Sequence, residues 1–156
     1  MSPYGERPNT IPWPPILLVG TLASAALLGG LAPLPMPLTG AAASGAGLAL
    51  MLSGGCLMFW AFATFRQAGT TVLPNQRSDA LITGGPFRHS RNPIYLAEAI
   101  FMAGLALYSG TVWYALAIPP FVVAVTRFAI VREEAHLHMR FGDAWRTYAA
   151  SVRRWL

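Results

Sequence analysis

The chain has 156 residues, of which 54% are hydrophobic and only 11% are charged. A soluble domain carries about a quarter charged residues, so this composition excludes a water-facing globule and suits a lipid solvent. The net charge of +5 comes from eleven arginines and no lysine against six carboxylates, and no charge falls between Arg7 and Arg66. That gap points to a bilayer rather than to nucleic acid as the partner of the basic groups.

Residues 1–15 are polar and proline-rich, an irregular lead-in. Residues 16–34 are continuously apolar and long enough for a hydrocarbon core of about 30 Å; Pro33, Pro35 and Pro37 end the run. A second run, 41–65, is closed by Arg66, so residues 16–65 read as a transmembrane hairpin. The small residues Ala41 to Ala43 resemble a signal-peptidase site, but the lead-in is not basic and the apolar run is longer than a signal core, so the segment is expected to stay. Cys56 lies inside this apolar stretch and, as the sole cysteine, makes no internal disulfide.

Residues 66–156 form the second unit. A polar loop, 66–92, carries Arg66, Arg77, Arg88 and Arg91. Asn92-Pro93 has the form of a helix start, with proline where its missing N–H costs nothing. The third helix runs from Pro93 to Tyr108, interrupted only by Glu98, and Ser109-Gly110 turns the chain. A fourth begins near Thr111, kinks at Pro119-Pro120 and continues through Arg127 into a charged extension, 132–141. Gly142 suits a helix end, and a last short helix, 144–155, has Trp145, Tyr148 and Val152 on one face with Arg146, Arg153 and Arg154 pointing elsewhere. The fold class is therefore an all-α membrane protein of about four transmembrane helices, with a cytosolic helical extension at its C-terminus.

Arginines crowd the middle loop and the tail, while the turns at 33–40 and 109–110 have none. The positive-inside rule then puts the middle loop and both termini in the cytosol. The second hairpin makes its helices antiparallel neighbours, so Asn92 to Tyr95 must lie level with Arg127 to Glu134. That juxtaposition creates a pocket where membrane meets water. Glu98 and Arg127, charges inside apolar helices, each cost at least about 2.5 kcal/mol on insertion scales; they read either as a mutual ion pair or as groups beside a substrate channel. His136 and His138 fall on different helix faces and His89 has no third ligand at a suitable spacing, so no metal site is expected.

Two blocks carry a resemblance. Leu81-Ile82-Thr83-Gly84-Gly85-Pro86-Phe87-Arg88-His89-Ser90-Arg91-Asn92-Pro93-Ile94-Tyr95, and then Arg132-Glu133-Glu134-Ala135-His136-Leu137 with Phe141-Gly142, Trp145, Tyr148, Val152 and Arg153, resemble the signature of the isoprenylcysteine carboxyl methyltransferase and phospholipid methyltransferase group. They cover about half the chain, in order and separated by one apolar hairpin. Members often have His where this chain has Asn92 and Tyr where it has Trp145; Asn keeps a donor and an acceptor but does not titrate. Thr70, Thr71 and Pro74 also look like loop positions of that group.

The resemblance implies S-adenosylmethionine as methyl donor, bound on the cytosolic side. Cofactor-binding candidates are Arg88, Asn92, Tyr95, Arg132, Glu133 and Glu134: the glutamates as anionic acceptors, the arginines and free helix-start N–H groups for a carboxylate, and Tyr95 with Phe87 beside adenine or the sulfonium. Arg91, Asn92 and Glu98 are the catalytic candidates. Bland alternatives stand beside these: glutamates in solvated ion pairs with nearby arginines, Arg88 and Arg91 as membrane anchors, and Tyr95 as an interfacial aromatic. The expected substrate is a lipid-borne or prenylated acceptor. The arginine-rich mouth of Arg88, Arg91, Arg132 and Arg153 favours a prenylcysteine-like carboxylate over a phospholipid amine. A membrane reductase using a nicotinamide cofactor and a non-catalytic lipid-binding subunit are the other readings. The arginine distribution makes a direct prediction: reporter fusions after Pro37 and after Gly110 report the side opposite to a fusion after Leu156, and a shared side would sink the four-span reading.

Overall fold

The computed structural model describes residues 13–69 and 80–156. Among these the fold is all-α: α1 (Trp13–Leu31), α2 (Ala41–Gln67), α3 (Pro93–Ser109), α4 (Trp113–Leu116), α5 (Ile118–Val125) and α6 (Val131–Ser151), with a 3-10 turn at Gly85–Arg88 and a π turn at Thr126–Ile130. An isolated bridge between Pro35 and Thr111 is the one β pairing among the described residues. The expected loop positions Thr70, Thr71, Pro74 and Arg77 lie outside them.

The apolar runs become helices with small shifts of boundary. α1 already covers Trp13, the first described residue and earlier than expected, and Pro14 and Pro15 lie within it. Pro93 opens α3 as expected, but Asn92 at the cap position makes no capping bond; its side chain is used elsewhere, as described below. In place of a kink at Pro119-Pro120, the helix is divided at Ala117, between α4 and α5, with Ala117 itself still at helical angles, because Pro119 and Pro120 cannot donate back to the preceding turn. Three helical runs are long and apolar enough to cross a membrane: α1, α2 and the continuous stretch Trp113–Ser151. α3 is apolar but has 17 residues, about 25 Å at 1.5 Å per residue, a turn short of the usual hydrocarbon thickness.

The two arginine-free turns meet at one end of the molecule. The Met36 N–H donates to the Gly110 carbonyl (2.7 Å), the Val112 N–H to Leu34 (3.0 Å) and the Trp113 indole to Ala32 (2.7 Å). The 3-10 turn, the start of α3 and the whole of α6 gather at the other end. Between the ends, α1 packs on α4, α5 and the π turn, whereas α2 packs along α3.

Glycine sets the second contact. A Cβ at Gly47 would lie 2.6 Å from the Tyr108 nitrogen and 2.7 Å from the Gly104 oxygen, and one at Gly104 would lie 2.6 Å from the Gly47 oxygen. The two backbones touch because neither helix has a side chain there, the usual way apolar helices associate where lipid removes the hydrophobic drive between them. A different core holds the other side: Tyr95, Met102, Phe121, Val125, Ala129 and Ile130, with Leu17, Leu18 and Leu22 of α1 against it.

The Glu98–Arg127 ion pair does not form. Glu98 is buried, Arg127 is exposed, and Arg127 belongs to the π turn. The wider turn shifts the helix register, so Ala129 and Ile130 fill the interior and Arg127 faces outward. The glycine contact yields a test. Gly104→Val overpacks the α2–α3 seam and lowers the melting temperature of the detergent-solubilised protein by the equivalent of roughly 1–3 kcal/mol. The same change at Gly20, where nothing lies within 4 Å, leaves it in place.

Candidate functional site

The site is assembled from three segments: the loop running from the 3-10 turn into α3, the start of α6, and the tail after α6. Aromatic packing positions the loop. Phe87 meets Phe65 of α2 edge-on at 5.3 Å, and the buried Tyr148 hydroxyl donates to the Phe87 carbonyl at 2.8 Å. Trp145 and Tyr148, the face expected from helical spacing, are both buried in this cluster with Ile94 and Leu137 around them. Gly142, at φ +51 and ψ −118, breaks α6 into the run carrying the glutamates and the run carrying these aromatics.

The expected juxtaposition of Asn92–Tyr95 with Glu133–Glu134 is present. The Tyr95 hydroxyl donates to Glu133 Oε1 at 2.8 Å, and Arg91 Nη1 lies 3.4 Å from Glu134 Oε1. Arg91 also sits over the Trp145 ring, 5.8 Å from its centre, a cation–π contact. Asn92 is buried; its amide donates to the Arg154 carbonyl at 2.9 Å and its N–H to Ser90 Oγ at 3.1 Å. Arg132 is half-buried and takes part in an interaction. Arg88 is exposed in an open groove of about 470 Å³, lined also by Thr83, Thr147, Tyr148 and Ser151, and none of Arg91, Asn92, Tyr95, Glu133 or Glu134 lines it. Arg88 therefore stands apart from the other candidates.

Arg154, expected to point away, points in. Its Nε and Nη2 donate to Glu134 Oε1 (3.0 Å) and Oε2 (2.6 Å), a fork on one carboxylate, and this hydrogen bonding raises the guanidinium above its ordinary pKa. Glu134 thus serves two arginines, the ion-pair arrangement weighed for it from the sequence. Glu133 has a tyrosine instead. Glu98 has less: it is 7% exposed, it is close enough to Glu133 to interact electrostatically, and its Oε2 atom has no hydrogen-bond partner. The cluster grows less neutralised from Glu134 at the mouth to Glu98 inside α3. No group of three or more His, Cys, Asp or Glu able to hold a metal occurs among the described residues.

Sequence reasoning missed Ser90 and the tail carbonyls. Arg91 N–H donates to the Arg153 carbonyl at 3.0 Å and Ser90 Oγ to the Arg154 carbonyl at 3.2 Å. Backbone acceptors carry no residue-type signal, and only the nearness of two arginines to the end of α6 hinted at a role. The Tyr95 contact predicts that Tyr95→Phe, which keeps the ring and removes the donor, destabilises the protein by roughly 1–3 kcal/mol because a half-buried carboxylate loses its partner. Thermal melting in detergent measures it.

Residues 43–144 match the phospholipid methyltransferase family model. An uncharacterized protein of Haemophilus influenzae is 35% identical over 63 residues, which is 40% of this chain and the whole of that protein. No solved structure matches. The matched span runs from α2 into α6 just past Gly142, taking in the loop, Tyr95, Glu98 and both glutamates, and on that ground the chain belongs to the phospholipid methyltransferase family.

Proposed function

We propose that this protein is an integral membrane methyltransferase that uses S-adenosylmethionine and acts on a lipid-borne amine, with its site and both termini on the cytosolic side. Family membership supports the reaction class. The observation that carries the substrate choice is Glu98, buried beside the half-buried Glu133 with one carboxylate oxygen unpartnered. Buried carboxylates without a cation are costly, so this interior fits positively charged groups. Both the donor's sulfonium and a protonated amine meet that requirement.

S-adenosylmethionine, when bound, supplies an activated methyl group on a sulfonium cation. The chain's own residues do the rest. Tyr95 fixes Glu133 through its hydroxyl, so the carboxylate that would hold the donor's positive charge keeps one orientation. An ammonium has to lose a proton before its nitrogen can attack, and Glu98 Oε2 is the acceptor for that proton. Asn92, which does not titrate and whose amide is held by the Arg154 carbonyl, positions the start of α3 rather than moving a proton. A lipid-borne acceptor reaches the site sideways, its tail staying in the bilayer at about 0.8 kcal/mol per buried methylene, with apolar α1 and α2 as its surroundings.

A prenylcysteine-like carboxylate is the second reading. Arg88 and Arg153 favour it, since both are exposed at this end of the protein. Its weaker footing is that Arg91 and Arg154 are already drawn to Glu134. A carboxylate acceptor is ionised and needs no base.

The test is methyl transfer from radiolabelled donor to phosphatidylethanolamine, to a prenylcysteine analogue and to its tail-less counterpart. We expect label in the phospholipid, and a fall in kcat of about a hundredfold or more in Glu98→Gln, the usual contribution of a general base. Label in the prenylcysteine analogue alone, untouched by Glu98→Gln, would establish the second reading. Equal turnover of the tail-less compound would overturn lateral access. In the same preparation Glu133→Ala weakens S-adenosylhomocysteine by about ten to a hundredfold, the loss of one charge-assisted hydrogen bond, and calorimetry checks it.

A further inference from the structure

The segment after α6 leaves the helix at Val152, which is extended at φ −124 and ψ 131, and lies back across the loop before α3. It is tied there three times through its backbone, by Arg91 N–H to the Arg153 carbonyl and by Ser90 Oγ and the Asn92 amide to the Arg154 carbonyl. Trp155 packs against the core that contains Tyr95. Arg154 is the residue where these restraints and the acidic cluster meet: its carbonyl holds Asn92 while its guanidinium holds Glu134 by two bonds.

We infer that Arg154 is a positioning residue of the methyl-donor site, fixing Glu134 through its forked guanidinium and the start of α3 through its carbonyl; this rests on the donor site proposed above. A forked pair fixes the plane of a carboxylate as well as its place. Arg91, the other cation on Glu134, makes a single contact at 3.4 Å and stacks on Trp145, so it does not define that plane. Glu134 neighbours Glu133, and a Glu134 free to turn changes the direction from which negative charge reaches the donor. The Arg154 side chain bonds Glu134 and neither Tyr95 nor Glu133, so its effect passes through Glu134, while the carbonyl that holds Asn92 is backbone and survives a side-chain substitution. Lysine keeps the charge but has no planar fork, and so restores part of the effect.

The experiment uses the full chain in detergent and S-adenosylhomocysteine as the probe. Calorimetry gives the affinity, and steady-state assays with the phospholipid acceptor give separate KM values for donor and acceptor. Arg154→Ala is expected to weaken the probe about tenfold and to raise the donor KM in step, with the acceptor KM within about twofold of the parent. Arg154→Lys is expected to recover part of the loss. In a Glu134→Gln background, Arg154→Ala is expected to add less than about threefold. Arg146→Ala, which breaks an exposed pair with Asp143 on the same helix, serves as the control. Probe affinity within twofold of the parent in Arg154→Ala overturns the inference. So does a loss spread equally over both KM values, accompanied by a lower melting temperature and not recovered by lysine. If Arg154→Ala does not fold, Arg154→Lys decides: a donor KM unchanged within twofold overturns the proposal, and a rise confined to the donor KM supports it. Failure of the parent protein itself to bind the probe removes the donor site, and the inference falls with it.

Discussion

The backbone contact between α2 and α3 is the constraint on which the rest of the polar end depends. In lipid, no hydrophobic force gathers helices that are apolar on every face, so association rests on how closely they fit. Gly47 and Gly104 allow that fit. α2 is thereby fixed to α3, and through Phe65 it also holds Phe87 in the loop. One helix thus places both the loop and the helix that the loop enters. Arg91, Asn92 and Tyr95 inherit their positions from this pair, and α6 then closes on them with Trp145 and Tyr148.

The acidic groups form a graded series rather than a uniform patch. Glu134 is clasped by two arginines, Glu133 has a tyrosine hydroxyl, and Glu98 has a bare oxygen. Paired charges at the mouth are tolerated easily because each cation sits against its anion, whereas the innermost carboxylate has no such partner. The acidic groups thus lose their compensating partners step by step toward the interior of α3. Part of the positive charge visible in the sequence is also taken up by the protein's own glutamate, since Arg91 and Arg154 both meet Glu134.

Much of this was legible beforehand. Continuous apolar runs, proline stops and Asn92-Pro93 located the helices within a few residues, since helix boundaries in apolar sequence depend on local chemistry. The meeting of Tyr95 with Glu133 followed from antiparallel neighbours joined by a two-residue turn. What stayed hidden depends on geometry that residue types do not encode. Nothing in Thr126-Arg127-Phe128-Ala129-Ile130 announces a π turn, so the sequence reads Arg127 as an inward charge, paired with Glu98 or beside a channel, whereas it faces outward. Arg154 looked like one more surface arginine because the Asn92 amide and the Ser90 hydroxyl donate to its backbone carbonyl, which residue type does not signal. Which of the many small residues of α2 faces Gly104 is likewise decided only by the pairing.

The π turn has a bearing on how this sequence tolerates change. In an α-helix each residue advances the register by about 100°, but the wider π turn spreads one extra residue over nearly the rotation that four residues cover in ordinary helix. α5, which ends at Val125, and α6, which starts at Val131, therefore keep the phase of a regular helix one residue shorter. Removing one residue of the five would let the stretch rewind as α-helix and leave Glu133 and Glu134 facing Tyr95 and Arg91, whereas the same deletion between Val131 and Glu133 would swing both glutamates around the axis. Residues 126–130 thus act as slack in the chain, a place where a change of length can be taken up without turning what lies downstream.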